Sequence, residues 1–265
     1  MKKIYFLSSI PRSGNTLLSS ILNQNPRIGV TANSILAELL YKMDQWKLND
    51  VGFNNFPDYY SYESLMENVL SSYYSKWGQD YIIDRASWGT PDNFKLIQRY
   101  CPNEIKVICL TRDISEVFCS LVDWCSKNPK NYINLGTNNG SIEEKFNFLM
   151  HPNGQIMRSI LSIYNLNKID PKNDNHILID YNNFVTDPKK ELDKIYKFLN
   201  IPKFEHKLNN FSQFSINGVK YDDHVVGENL HKIRTKNISK RKYNSLIPDS
   251  IIEKCKSLNS YLNPL

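Results

Sequence analysis

Two kinds of apolar run alternate along the chain. Short, β-favouring blocks at Ile4–Leu7, Tyr81–Ile83, Ile105–Thr111 and His176–Tyr181 read as buried strands. Between them apolar residues recur every three or four positions, the period of a helix with one buried face. Such spacing predicts helices from Ser13 or Gly14 to Leu22, over Ala32–Leu48, Ser64–Trp77, Thr90–Tyr100 and Ile114–Ser126, and over Pro248–Tyr261. A long helical stretch, Glu143–Lys168, is interrupted near His151-Pro152. Strands alternating with helices predict an α/β fold, a parallel β-sheet flanked by helices. Three stretches carry no such period. Phe53 to Tyr62 reads as an aromatic-rich loop, Lys127 to Ser141 as a mobile loop or lid, and Phe211 to Tyr243 resists placement.

With 265 residues, 41% of them hydrophobic, and no break in composition, the expectation is one domain over residues 1–265. The five cysteines are odd in number and form no Cys-x-x-Cys pair, so they read as reduced thiols, with no metal site and a cytoplasmic location. Pro11 and Arg12 cut the first apolar run too short for a signal peptide, and no span of membrane length follows. The net charge of +6, concentrated after residue 189, is compatible with a nucleotide, an anionic acceptor, nucleic acid or a solvated face.

The stretch KIYFLSSIPRSGNTLLSSIL, Lys3 to Leu22, organises the rest: strand, tight polar turn and helix in immediate succession. At the helix start the first N–H groups lack helical partners and the dipole is positive, which favours a phosphate or sulfate. Arg12, Ser13, Asn15 and Thr16 add a cation and neutral donors there. The Gly-Lys-Ser/Thr of a nucleoside-triphosphate P-loop is missing. Strand ends facing the same crevice of a parallel sheet would add Arg85, Ser87 and Trp88 after the second strand, and Arg112 after the third. Asp84, ending an apolar strand, also looks like the magnesium-holding element of a kinase.

The turn Ile10-Pro11-Arg12-Ser13-Gly14-Asn15-Thr16-Leu17-Leu18 resembles the 5′-phosphosulfate loop of sulfotransferases that use 3′-phosphoadenosine 5′-phosphosulfate (PAPS), with Asn15 in place of the usual Ser or Thr. In VICLTRDISEVFCSL, Arg112 and Ser120, eight residues apart, resemble the same family's 3′-phosphate signature. The run Leu178–Pro202 resembles a third family passage, in which Tyr181 matches a tyrosine near the adenine. The resemblance thus spans most of the chain and is closest to bacterial and phage-encoded members. It implies a P-loop NTPase-like sulfotransferase fold and transfer of a sulfuryl group from PAPS to a small-molecule, carbohydrate or peptide acceptor, leaving 3′-phosphoadenosine 5′-phosphate (PAP).

For the cofactor, the resemblance implies Arg12, Ser13, Gly14, Asn15, Thr16 and Leu17 at the 5′ end, and Arg112 and Ser120 at the 3′-phosphate. Tyr181 belongs beside the base, and Arg234 and Lys236 sit where relatives carry a closing basic loop. For catalysis it implies Arg12 at the bridging oxygen and Arg85 in place of a catalytic lysine. The positions where relatives keep a base hold Asn33, Ser34 and Ser87 here, which leaves Glu38 and Asp84 as the nearest carboxylates. The aromatic density from Trp46 to Tyr62, with Trp77 and Trp88, suggests a ring-bearing acceptor. Two rival readings stand beside this one. One is a P-loop-type kinase with magnesium on Asp84, and the other is a non-catalytic polyanion binder built on the basic C-terminal third. No nucleic acid and no membrane span are expected, and the oligomeric state is open.

Overall fold

The computed structural model describes residues 2–101, 104–172, 174–212, 215–222, 224, 226–228, 230–233, 238 and 247–263. The chain runs β1 (Lys3–Leu7), α1 (Asn15–Leu22), β2 (Ile28–Val30), α2 (Leu36–Asn49), α3 (Val51–Asn55), α4 (Tyr59–Tyr73), β3 (Tyr81–Arg85), α5 (Pro91–Tyr100) and β4 (Val107–Thr111). It continues through α6 (Ile114–Lys127), α7 (Tyr132–Gly136), α8 (Ile142–Met150), α9 (Gln155–Ile169), β5 (His176–Asp180), α10 (Tyr181–Thr186) and α11 (Pro188–Leu199). A hairpin of β6 (Ser215–Ile216) and β7 (Val219–Lys220) precedes α12 (Asp249–Leu258).

Five parallel strands form the sheet in the order β2-β3-β1-β4-β5. Strand β1 is central, with Lys3 opposite Tyr81 on one side and Phe6 opposite Val107 on the other. Its side chains alternate, so Ile4 and Phe6 join the core under α2, α4, α5, α6 and α9, while Tyr5 and Leu7 join the core under α1 and α11. Burial on both faces is why β1, β3, β4 and β5 read as continuous apolar blocks. The order reverses at β1, and the crevice beyond its carboxyl end is where a ligand fits such a sheet.

Several expectations need correction. Strand β2 was not foreseen; it has only three residues, and Gly29 at its middle admits the Trp77 ring so closely that a Cβ would lie 2.9 Å from it. The aromatic loop is helical, because Asp50 accepts from the Phe53 N–H at 2.8 Å and Asp58 from the Ser61 N–H at 3.0 Å, each starting a helix. The segment 127–141 is folded around α7: the buried Asn131 side-chain Oδ1 accepts from both Ile133 and Asn134 N–H groups at 2.9 Å. The break at His151-Pro152 holds, and it separates α8 from α9.

Candidate functional site

Past Leu7 the chain follows β4 across the sheet's edge. Ser8 and Ile10 N–H groups donate to the Ile108 and Leu110 carbonyls at 2.9 and 3.1 Å, and the Ser9 hydroxyl accepts from the Leu110 N–H at 2.8 Å. The turn into α1 then takes two left-handed residues, Arg12 at φ 64° and Gly14 at φ 92°. At Gly14 a side chain is excluded twice, by that φ and by the Tyr181 ring, 3.0 Å from where a Cβ would stand. Arg12 is not glycine, and its conformation is held from both sides. The Ser13 hydroxyl and Asn15 amide donate to the Ile10 carbonyl at 2.6 and 2.9 Å, and the Arg112 Nη1 donates to the Arg12 carbonyl at 2.9 Å. Helix α1 has no side-chain cap and no acid in its first turn, so its positive end is offered to the cleft.

Arg112 closes β4 and is almost completely buried. Its Nε donates to the Glu116 carboxylate at 3.0 Å, and its guanidinium lies 4.1 Å from the Tyr181 ring centroid. Ser120, buried two turns along α6, accepts from Arg12 Nε at 3.0 Å. Arg12 Nη1 also donates to the Leu230 carbonyl. Arg12, Arg112, Ser120 and Tyr181 are therefore brought together from four places in the chain. Asp113 has a different task, capping α6 through the Ser115 and Glu116 N–H groups and accepting from Asn259 at 2.7 Å.

These groups line a cleft of about 600 Å³. Thr16 and Leu17 are on its wall, whereas Ser13 is buried with its hydroxyl turned back into the loop. The wall also takes Asn33, Ser34 and Glu38 around the start of α2, Arg85 and Ser87 at and after the end of β3, and Asn153, Gln155 and Arg158 around the start of α9. Among the described residues the lining carries five Arg or Lys (Arg12, Arg85, Arg112, Arg158, Lys232) against the single acid Glu38, which selects an anionic ligand. Glu38 is well exposed, with Lys42 at 3.3 Å. Of the basic C-terminal loop, Leu230, His231 and Lys232 reach the cleft; Arg234 and Lys236 lie outside the described residues.

Asp84 does not line this cleft. It is fully buried, with Tyr74 donating to Oδ2 and the Trp88 indole to Oδ1 at 2.7 Å, and burial pushes its carboxyl above the usual range. Strand alternation explains this: Asp84 shares the face of Ile82, which belongs to the core, not the rim. The aromatic acceptor wall is likewise overturned. Trp46, Phe56 and Tyr60 are exposed to solvent away from the cleft, and Trp88 is buried against Phe6 with ring centroids 4.9 Å apart. The aromatic rings that do line the cleft are Tyr132, whose hydroxyl donates to the Gln155 side chain, Tyr181 and Tyr221. Arg158 and Gln155 escaped the sequence reading. Their one signal was the helix break at His151-Pro152, which starts α9 at the cleft.

The family model described as the sulfotransferase family matches residues 5–206. No curated protein matches the chain. Among solved structures, the sulfotransferase domain from the curacin biosynthetic pathway superposes with a TM-score of 0.59 at 15% identity, covering 98% of each chain. The sulfotransferase domain of the Synechococcus PCC 7002 olefin synthase gives 0.55 at 15%, covering 98% of this chain and 95% of that one. Retinol dehydratase, solved with retinol and PAP, gives 0.50 at 14%, covering 98% of this chain and 81% of that one. At these identities the likeness concerns the fold, a parallel sheet flanked by helices with a P-loop-like first turn.

Proposed function

The chain belongs to the sulfotransferase family, and we propose on that premise that it moves the sulfuryl group of PAPS to a hydroxyl or amine of an acceptor. One observation carries the reading: an uncapped helix start and the buried Arg112 and Ser120, joined through Arg12, line a single basic cleft. A donor with a phosphosulfate at its 5′ end and a phosphate at 3′ matches two such sites. The cradle also fits, since Gly14 leaves no Cβ between the loop and the Tyr181 ring.

The residues divide by what they touch. Thr16 and the first N–H groups of α1 would hold the 5′-phosphate, Arg112 and Ser120 the 3′-phosphate, and Lys232 would close from the rim. Arg12 and Arg85 would face the group in transfer. In the reaction a bond forms between the acceptor oxygen or nitrogen and sulfur as the bond from sulfur to the bridging oxygen breaks, and charge grows on that oxygen. Two guanidiniums stabilise this charge without exchanging protons, because their pKa lies too high. The acceptor's proton goes to Glu38, the carboxylate on the cleft wall. We further propose one domain over residues 1–265 and a cytoplasmic location; among the described residues no helix is long and apolar enough to cross a membrane.

Thermal shift distinguishes this reading from its rivals, because a ligand for the folded state raises apparent stability by mass action. PAP should raise the melting temperature well above the effect of equimolar AMP, which lacks the 3′-phosphate. A larger shift from ATP with magnesium than from PAP overturns the proposal in favour of a kinase.

A further inference from the structure

Exposed apolar side chains are ordinary on a surface when they stand singly, and informative when they gather. Of the eighteen large hydrophobic residues exposed among the described residues, eleven fall between Ile35 and Tyr73, which is 39 of 265 residues. The density is greatest around α3. There Trp46, Leu48, Val51, Phe56, Tyr59 and Tyr60 all face solvent, with Trp46, Phe56 and Tyr60 exposed by 68, 79 and 88%. Helix α3 has no buried residue, so the core does not account for the apolar residues it carries.

This surface is nevertheless held in place. The Phe53 ring packs edge-on against Tyr59 and Tyr62, with centroids 5.2 and 5.3 Å apart, which joins α3 to α4. The Tyr62 hydroxyl donates to the Met43 carbonyl at 2.6 Å, which joins α4 to α2. The Trp46 indole N–H donates to Asp50 at 3.0 Å, so the exposed ring has no polar group left to satisfy. Ordered rings on an open surface are what binding anchors are made of, because little freedom remains to be lost when a partner arrives.

Charge decides the occupant. Residues 35–73 hold six acids against two lysines, a net of −4 in a chain of net +6, which leaves +10 on the rest. Lys47 is turned inward and paired with Asp44 at 2.8 Å, and Lys42 is beside Glu38. Asp50 and Asp58, set among the exposed rings, form no ion pair with any described residue. Hydrogen bonds from the Phe53 and Ser61 N–H groups hold their carboxyls below the usual range, so both stay ionised at neutral pH. A two-fold contact of this face with itself would bring the acids of one copy against those of the other. Helices that lie on membranes carry Lys and Arg where this face carries acids. A cationic protein segment with apolar side chains matches both the rings and the charge.

We propose that the α2–α4 face docks a segment of another protein that is cationic and apolar together, with Trp46, Phe56 and Tyr60 as anchors and Asp50 and Asp58 selecting positive charge. None of these five residues lines the cleft, so docking is independent of the reaction proposed above.

The test is titration of the intact protein with a short amphipathic peptide of Leu and Lys, followed by tryptophan emission. Trp88 and Trp124 are buried and Trp77 is half-buried, so a blue shift on binding reports Trp46. Because the chain as a whole is positive, the rest of the surface repels such a peptide and its binding marks this face. It should bind saturably, more weakly as salt is added, and at least about tenfold tighter than the same peptide with Glu for Lys. Asp50→Asn with Asp58→Asn keeps the helix starts, since Asn also caps, and should weaken binding about tenfold. Phe56→Ser with Tyr60→Ser should weaken it at least about tenfold, with the circular dichroism of the free protein unchanged. Should the Ser pair fail to fold, the Asn pair decides alone. The inference is overturned if the Leu/Lys peptide does not bind, if the Glu peptide binds as tightly, or if the substitutions leave binding intact. It is equally overturned if phosphatidylcholine vesicles shift the emission more strongly than the peptide, or if sedimentation shows the protein dimerising through a contact that the Ser pair removes.

Discussion

The wall of the cleft is made in two ways. At the loop end the polar groups are already engaged: Arg112 and Ser120 are buried, and Arg12 is bonded to Ser120 and Leu230. Backbone geometry sets much of the shape there, through two left-handed residues and an uncapped helix. Elsewhere on the wall, Glu38, Ser87, Asn153, Gln155 and Arg158 are exposed side chains brought from separate helices and turns. A preorganised half suits a ligand that never changes, because ordering costs are met by the fold. A half built from surface side chains can be altered one residue at a time without disturbing the sheet.

The strongest way to break this division is Arg85→Ala. Arg85 ends β3, outside the loop, and its proposed task is charge in the transition state. Turnover should fall by about a hundred- to a thousandfold, the usual effect of removing one preorganised stabiliser, while PAP affinity holds. Loss of PAP affinity with turnover preserved would move Arg85 to the donor half. Next in size is Arg112→Ala, which should weaken PAP binding by about ten- to a hundredfold in a titration and leave AMP nearly unaffected. Equal losses for PAP and AMP would mean that Arg112 serves the loop's shape and not a 3′-phosphate.

The smallest effect concerns the floor between the halves. The folded chain keeps the Asp84 proton at pH values where the unfolded chain has lost it. That contribution to stability is therefore complete below the unfolded carboxyl's pKa and is lost as pH rises through the folded value. Asp84→Asn should flatten the decline, by about 1.4 kcal/mol for each pH unit that separates the folded carboxyl's pKa from the unfolded one, in denaturation measured across the acidic and neutral range. PAP affinity should not change, since Asp84 does not reach the cleft.

What was legible follows the same division. The loop end could be read because its parts are local: Pro11 to Leu18 is one turn and the helix start it leads into, and Arg112 to Ser120 is one strand-to-helix junction. Tyr181 could be matched as a residue, but its function as a platform between Gly14 and Arg112 depends on packing across the sheet. Asp84 misled because chain position puts it at a strand end while strand alternation points it inward. Arg158 was silent, as an Arg in a helical period carries no mark of what its helix faces. The aromatic cluster misled for another reason. Ring density resembled a pocket, whereas the informative residues were Asp50 and Asp58, which start the helices that carry those rings outward.

The central position of β1 has a consequence for how the molecule is made. It is the first strand to be synthesised, yet Lys3 pairs with Tyr81 and Phe6 with Val107, partners that do not exist until most of the first half of the chain has been translated. At ordinary elongation rates of about 5–20 residues per second, the second partner arrives roughly five to twenty seconds after the strand itself. Until β3 is made, Ile4, Tyr5, Phe6 and Leu7 form an apolar segment with neither neighbour available, and until β4 follows one edge stays open, a template for wrong pairing between nascent chains. The strand that leads into the left-handed loop thus begins as a vulnerable stretch, and yield during expression should respond to slower synthesis or added chaperone before it responds to any change in the cleft.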